Sequence, residues 1–364
     1  MLTATKTVSE LEDIRKSLSE GDRNLFDRFF KVDTTVGKLN APEAMHGWIN
    51  KNFGSLEKIE AQKIVKVTNL WTMEGSLFNE IRASRPMECK VNDEVRQIIE
   101  NSANDPFCKA ETGTPADTFG RVQGSSSITA SNIAKYDGYH GLVIFNEHNP
   151  LKVSKTAVAD YFETGYEWAN RAHRDDPESK YYFFMWNCLW KSGASIIHGH
   201  AQMTLTRGMH YPKVEALRRA SLNYNQEFGS CYFRDLHQVH KSLGLGWEWD
   251  GGVKGMAYLT PIKEKEIILF SEKPGTHLYH GVHAVLEKYM GLCAISFNLA
   301  LYLPPLADTG EDWSKFPALI RIVDRGDPNN KTADFGAMEL YAASVISSDP
   351  FRVAEAVAGD ALKQ

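Results

Sequence analysis

The 364-residue sequence predicts an α+β protein in which one unit of strand, strand, helix and strand occurs twice in tandem behind a helical N-terminal extension. Two observations carry this expectation. Short β-branched and aromatic runs alternate with longer stretches whose apolar residues recur at helical spacing. The order of those elements between residues 126 and 206 begins again after residue 253, as expected of a duplicated unit packed into one compact body.

Taken in order, residues 1–63 read as helices over 8–18, 22–30 and 42–53, parted by Gly21 and by a turn region over 33–40. Pro42 suits a first helical turn, where its missing N–H costs nothing. No chemistry is legible in this extension, which reads as a cap, an oligomer contact or a small accessory domain. A first unit is expected over 64–212. It starts at the β-branched run 64–67, continues through 77–81, and then forms a hairpin from the strands 126–132 and 141–145. Ser154 is a plausible N-cap for a helix to about residue 173, with Val158, Tyr161, Phe162, Trp168, Ala169 and Ala172 on its core face. A buried strand over 181–187 follows. A second unit is expected over 213–364: a helix over 213–226, strands over 253–262 and 266–270, a helix over 277–292, a strand over 295–303, and a last helix started by Asp349 and Pro350.

Composition excludes several function classes. With 43% hydrophobic and 24% charged residues the chain can bury a core, so neither disorder nor a fibre is expected. A net charge of -5 and the lack of a basic patch argue against a nucleic-acid partner. The N-terminus lacks an apolar signal core and no apolar run approaches a membrane span, so no membrane partner and a cytoplasmic location are expected. Five cysteines, without a Cys-x-x-Cys pair, make a disulfide framework unexpected.

The chemistry concentrates in residues 191–206, which read Lys-Ser-Gly-Ala-Ser-Ile-Ile-His-Gly-His-Ala-Gln-Met-Thr-Leu-Thr. In a strand, alternate residues share a face, so His198, His200 and Gln202 would point one way and Ala201 and Met203 the other. The flanking Gly193, Ala194 and Ser195 leave room for a phosphate to approach, with backbone N–H groups and a serine hydroxyl as donors. Alone, a His-x-His pair reads equally well as two solvent-facing residues. The small-residue loop in front of it favours a site.

This signature resembles the histidine-triad superfamily, in its galactose-1-phosphate uridylyltransferase-like branch, over about residues 75–360. The branch includes sugar-1-phosphate nucleotidylyltransferases, nucleotide-sugar phosphorylases and dinucleoside polyphosphate phosphorylases. One departure is Gly199, where the uridylyltransferases usually carry proline. The resemblance implies two tandem histidine-triad-like units, with His200 as nucleophile and Gln202 beside it. Arg82 and Arg85, in an Arg-Ala-Ser-Arg-Pro element, match phosphate contacts, as do Ser192, Gly193 and Ser195 in the loop; Asn132 matches an asparagine near the nucleoside, and Asn187 stands at an offset similar to that of a family asparagine in the nucleotide site. Asp105 and Cys108, in Asp-Pro-Phe-Cys, together with His148 and His198, match a structural zinc site in which Asp105 replaces a cysteine. Without the resemblance, Cys108 reads as a small buried residue and His148 as a loop residue. The second unit is expected to lack a nucleophile, since residues 296–300 read Ser-Phe-Asn-Leu-Ala. His277, His280 and His283 lie at helical spacing and read as exposed rather than metal-binding.

The implied activity is nucleotidyl transfer between a nucleotide sugar and a sugar 1-phosphate through a nucleotidyl-histidine, with no organic cofactor. The alternatives are a nucleotide-sugar or dinucleoside polyphosphate phosphorylase, which shares the intermediate, and a non-catalytic nucleotide-binding protein. A hydrolase is disfavoured because Gln202 cannot shuttle a proton at neutral pH. The partners expected are thus a nucleotide sugar or dinucleotide and a phosphorylated acceptor, with a homodimer carried over from the resemblance.

Overall fold

The computed structural model describes residues 6–79, 81 and 93–363. Its strands, in chain order, are β1 (Phe30–Lys38), β2 (Ala61–Asn69), β3 (Gly75–Asn79), β4 (Ser127–Ser131), β5 (Tyr139–Phe145), β6 (Ser179–Cys188), β7 (His200–Arg207), β8 (Gly246–Trp249), β9 (Val253–Ala257), β10 (Ile267–Ser271), β11 (Phe297–Tyr302), β12 (Ala318–Asp324) and β13 (Ser344–Ile346). Among the described residues they form a nine-stranded sheet, β4-β5-β7-β6-β11-β12-β10-β9-β8, and a four-stranded sheet, β1-β2-β3-β13.

The large sheet is built twice. The order β4-β5-β7-β6 is matched by β9-β10-β12-β11, and the halves meet where β6 pairs antiparallel with β11. Each half is two paired strands, a helix, and two further strands that slot in beside the pair. The repeat is one strand longer than the sequence reading. Topology makes β12 the counterpart of β7, whereas the reading sought a second histidine motif at 296–300, which overlaps β11, the partner of β6. β12 reads Ala-Leu-Ile-Arg-Ile-Val-Asp, with arginine as its one basic residue and no histidine.

Helices cover one face of this sheet. Ser154 caps the helix Lys155–Asp175 by accepting the Ala157 N–H at 3.2 Å, and the buried stripe Val158, Tyr161, Phe162, Trp168, Ala169 and Ala172 lies on the strands. Close approach demands glycine at 141, where a Cβ would sit 2.6 Å from the Trp168 ring. The second half's helix, Thr276–Gly291, lies alongside, with Tyr279 stacked on Phe162 at 4.6 Å.

Among the described residues, the opposite face is covered at its two ends. Over the first half lies a small apolar cluster in which Phe107 and Ala110 pack on Ile128, Ala130, Leu142 and Ile144. Over the second half lie the helix Tyr232–Leu243, whose Phe233 meets Phe270 and Phe316, and the small sheet. Asn69 bonds Tyr232 and Tyr258, Ser76 bonds Pro261 O, and Glu74 pairs with Arg321 of β12 at 2.7 Å. The N-terminal region therefore covers the second half's open face. It is also less helical than expected: β1 occupies most of the segment read as a turn, because Phe30–Lys38 pairs along its whole length with β2. Between the two covers, Phe183, Met185 and Asn187 of β6 and Asn298 and Ala300 of β11 are only half-buried among the described residues, and this partly open strip at the centre of the sheet is termed the trough.

Cys108, Cys188 and Cys231 are free thiols, whereas Cys293 is disulfide-bonded. No helix among the described residues is long and apolar enough to cross a membrane.

Candidate active site

Register places the histidine motif beside the trough. Directly paired residues in antiparallel strands share a face, so Leu142, Gln202, Met185, Ala300 and Arg321 form one row across five strands. His200 lies on the same face, opposite Ile144. His198 precedes the strand in the loop, and both histidine rings meet the Phe107 ring edge-on, at 6.0 Å for His198 and 5.2 Å for His200.

His200 is held in one tautomer. Its Nδ1–H donates to the His198 carbonyl at 2.8 Å, so the lone pair resides on Nε2. Burial lowers its pKa, and the carbonyl contact opposes this only in part. The result is a neutral imidazole with a free, fixed nitrogen, as a nucleophile requires.

Beside it, one oxygen or nitrogen from each of Asp105, His148 and His198 converges with the Cys108 sulfur, all within 4.8 Å of one another. Cys108 Sγ is 3.4 Å from Nδ1 of each histidine, and those two nitrogens are 3.1 Å apart. His198 Nε2–H donates to Phe145 O at 2.7 Å, and His148 Nε2–H to Ile99 O at 2.9 Å. Both Nδ1 lone pairs are thereby turned toward each other. Asp105 Oδ1 takes the Phe107 and Cys108 N–H groups, while its buried Oδ2 has no hydrogen-bond partner. Lone pairs, an orphaned carboxylate oxygen and a sulfur facing one point repel unless a cation joins them, and backbone carbonyls already orient the imidazoles as metal ligands are oriented. The donor set fits a tetrahedral divalent ion.

Gly199 links the two sites. Its N–H donates to His148 O at 3.1 Å and its carbonyl accepts the Phe145 N–H at 2.9 Å. A Cβ here would lie 2.6 Å from Phe145 Cδ2. Glycine at 199 thus matches its surroundings.

The remaining expected residues are distributed unevenly. Arg82 and Arg85 lie outside the described residues. Asn132 sits at the hairpin, its Oδ1 accepting the Ala134 N–H at 3.1 Å. Asn187 Oδ1 accepts from Asn298 Nδ2 at 2.6 Å, and the same Nδ2 donates to Ser192 O at 2.9 Å. The Ser192 hydroxyl is buried and donates to Leu189 O at 2.7 Å, so it is committed to its own turn. Gly193 closes that turn at φ 98°, and Ser195 is exposed.

Three residues escape the sequence reading. His140, wholly buried, donates from Nε2 to Gln202 Oε1 at 2.9 Å. Asn298 and Arg325 extend the Asn187 contact: Arg325 Nη1 donates to Asn298 Oδ1 at 2.5 Å, and its Nε and Nη2 grip Asp334 at 2.7 and 2.9 Å. No local pattern marks them, since each acts through a partner brought close by strand pairing or a returning loop.

No protein-family model and no curated protein matches the chain significantly. Solved structures do match its fold. An ADP-glucose phosphorylase from Arabidopsis thaliana with bound ADP-glucose aligns at TM-score 0.60 and 16% identity, over 80% of this chain and 97% of that one. A GALT-like protein from Arabidopsis thaliana aligns at TM-score 0.56 and 17% identity, over 70% and 91% respectively. A uridylyltransferase aligns at TM-score 0.54 and 15% identity, over 81% and 98%. At these identities the likeness is one of fold.

Proposed function

We propose that this chain, which shares the fold of those proteins, is a nucleotidylyltransferase that moves a nucleoside monophosphate from a nucleotide sugar to a phosphate-bearing acceptor by way of His200. The observation that carries the reading is the free Nε2 of a neutral His200, whose other nitrogen is fixed on the His198 carbonyl. Nε2 attacks the α-phosphorus, forming a P–N bond as the P–O bond to the departing sugar phosphate breaks; the electron pair leaves with that phosphate. The imidazole keeps its Nδ1 proton, and the His198 carbonyl stabilises the charge that develops on the ring. An acceptor phosphate oxygen then attacks the same phosphorus and releases Nε2.

Gln202 supports this reading through its amide, which can donate to a non-bridging oxygen but cannot activate water. Phosphate acceptors need no such help, whether the acceptor is a sugar 1-phosphate or inorganic phosphate. Asn132, Asn187, Gly193 and Ser195 are assigned to the nucleotide, and Arg82 and Arg85 to phosphate, from the sequence motif; Asn187 lies in the half-buried strip of β6 beside Asn298. Asp105, Cys108, His148 and His198 would hold zinc, which in such a site is structural and fixes the segment whose carbonyl aligns His200.

The test is turnover with UDP-, ADP- and GDP-sugars plus phosphate or a sugar 1-phosphate. His200→Asn should abolish exchange while nucleotide binding persists. Unchanged exchange in that variant would remove His200 from the mechanism.

A further inference from the structure

We infer that His140 is a positioning residue that turns the Gln202 side chain into a one-way hydrogen-bond donor, so that position 202 offers the site an N–H and never a proton acceptor. The inference rests on the transfer reading above and adds to it the residue that sets the polarity of the glutamine.

The Tyr136 backbone N–H points at His140 Nδ1 at 3.0 Å, so that nitrogen must be the acceptor and the ring proton must be on Nε2. Nε2–H then donates to Gln202 Oε1 at 2.9 Å. An amide whose oxygen is taken turns its amino group away from His140, and Gln202 is half-buried beside Met185 of the trough. The Asn132 amino group lies 3.2 Å from the same Nε2, but two N–H groups cannot bond each other, so Asn132 finds no acceptor there. Two amide donors therefore flank one edge of the trough, a polarity suited to phosphate or ribose oxygens.

His140 is built to stay this way. It is wholly buried, Tyr136 stacks on its ring at 4.3 Å, and the nearby Lys135 ammonium bonds Ser131 Oγ and the His140 carbonyl, opposing a positive charge on the ring. Burial is the largest influence and favours the neutral form, outweighing the contacts with the Gln202 side chain and the Ala134 backbone that favour protonation. Asp117, which approaches Lys135 at 3.7 Å, is the one nearby group whose charge favours protonation of the ring. A neutral imidazole with a fixed Nε2–H cannot accept from Gln202, so the amide cannot flip without losing its bond.

The experiment combines a double-mutant cycle with a direct reading of the tautomer. His140→Phe fills the ring volume without a donor; His140→Gln restores an N–H at about the position of Nε2. With a donor that labels His200, His140→Phe should slow adduct formation about 10- to 100-fold, the usual effect of losing an outer-shell partner, and His140→Gln should recover most of it. In a Gln202→Ala background His140→Phe should have no further effect, because His140 acts only through Gln202. Equal effects in both backgrounds, or none in either, would overturn the inference. Selective 15N labelling of histidine reads the tautomer in the resting protein: an Nε2-protonated His140 supports the inference, and an Nδ1-protonated or doubly protonated ring overturns it. If no donor labels His200 the transfer reading fails, and the 15N signal still decides the inference about His140.

Discussion

Gly199→Ala adds one methyl group where it would meet a ring locked in place by its own neighbours. The new Cβ would lie 2.6 Å from Phe145 Cδ2 and 3.3 Å from Glu147 O. The Phe145 ring cannot swing aside, because it stacks flat on Tyr161 at 3.6 Å and meets the Trp186 ring edge-on at 5.0 Å. The backbone must shift instead, and Phe145 O is the acceptor that orients His198. Overpacking of this kind costs about 1–3 kcal/mol. Gly199→Pro, which restores the residue usual in the uridylyltransferases, carries the same clash and also loses the N–H that donates to His148 O, about 1 kcal/mol more. Urea unfolding, with metal content measured alongside, should show the stability order glycine, alanine, proline and a parallel loss of bound metal. An alanine variant within about 0.5 kcal/mol of the parent, with its metal retained, would refute the claim that this packing holds the two histidines in register.

Three other expectations follow from buried polar groups. His240 and His210 are buried and their pKa values are pulled down to about 4 by burial; His240 Nδ1–H bonds Leu236 O while its Nε2 accepts the Leu259 N–H, a pairing that suits only the neutral ring. The unfolded chain takes up these protons near pH 6.5 and the folded chain near pH 4, so stability is full above pH 6.5 and falls as the pH drops toward 4. The loss is on the order of 3 kcal/mol for each ring; unfolding measured from pH 7 to pH 4.5 should show it, with a shallower slope in His240→Gln, and a flat profile would contradict it. Removing metal with a chelator should lower the unfolding free energy, by about 2.7 kcal/mol where free metal had stood at 100 times its dissociation constant; Cys108→Ala should abolish most of that difference, and a chelator-insensitive protein would show the cluster to be metal-free. Arg321→Met should cost about 3–5 kcal/mol, since it leaves the fully buried Glu266 carboxylate and Glu74 without their shared cation; a neutral result would mean that the small sheet is held by its other contacts alone.

The hairpin of β4 and β5, the Ser154 cap and the helical stripe behind it are legible because their signals are local. β1 is not: Asp33, Gly37 and Asn40 read as turn formers, and strand character comes only from pairing with β2, which follows an intervening helical segment. Nothing local marks β12 as the counterpart of β7, since register across the sheet and not sequence spacing decides which strands correspond. The Ser192 hydroxyl has the right chemistry for phosphate, yet its own turn consumes it. His140 and Gln202 are 62 residues apart and become neighbours only when β5 pairs with β7. The convergence of Asp105, Cys108, His148 and His198 was legible through family resemblance; spacing alone would leave Cys108 a buried thiol and His148 a loop residue.

The central claim is that His200 forms a covalent bond to a nucleotide. Intact-mass measurement of the protein, incubated without acceptor against a panel of UDP-, ADP- and GDP-sugars and dinucleoside polyphosphates, tests it most directly. The account predicts a gain of one nucleoside monophosphate with one class of donor, absent in His200→Asn and discharged by adding phosphate or a sugar 1-phosphate. A protein that turns the same donor over with no adduct, or that carries the adduct equally in His200→Asn, would contradict it.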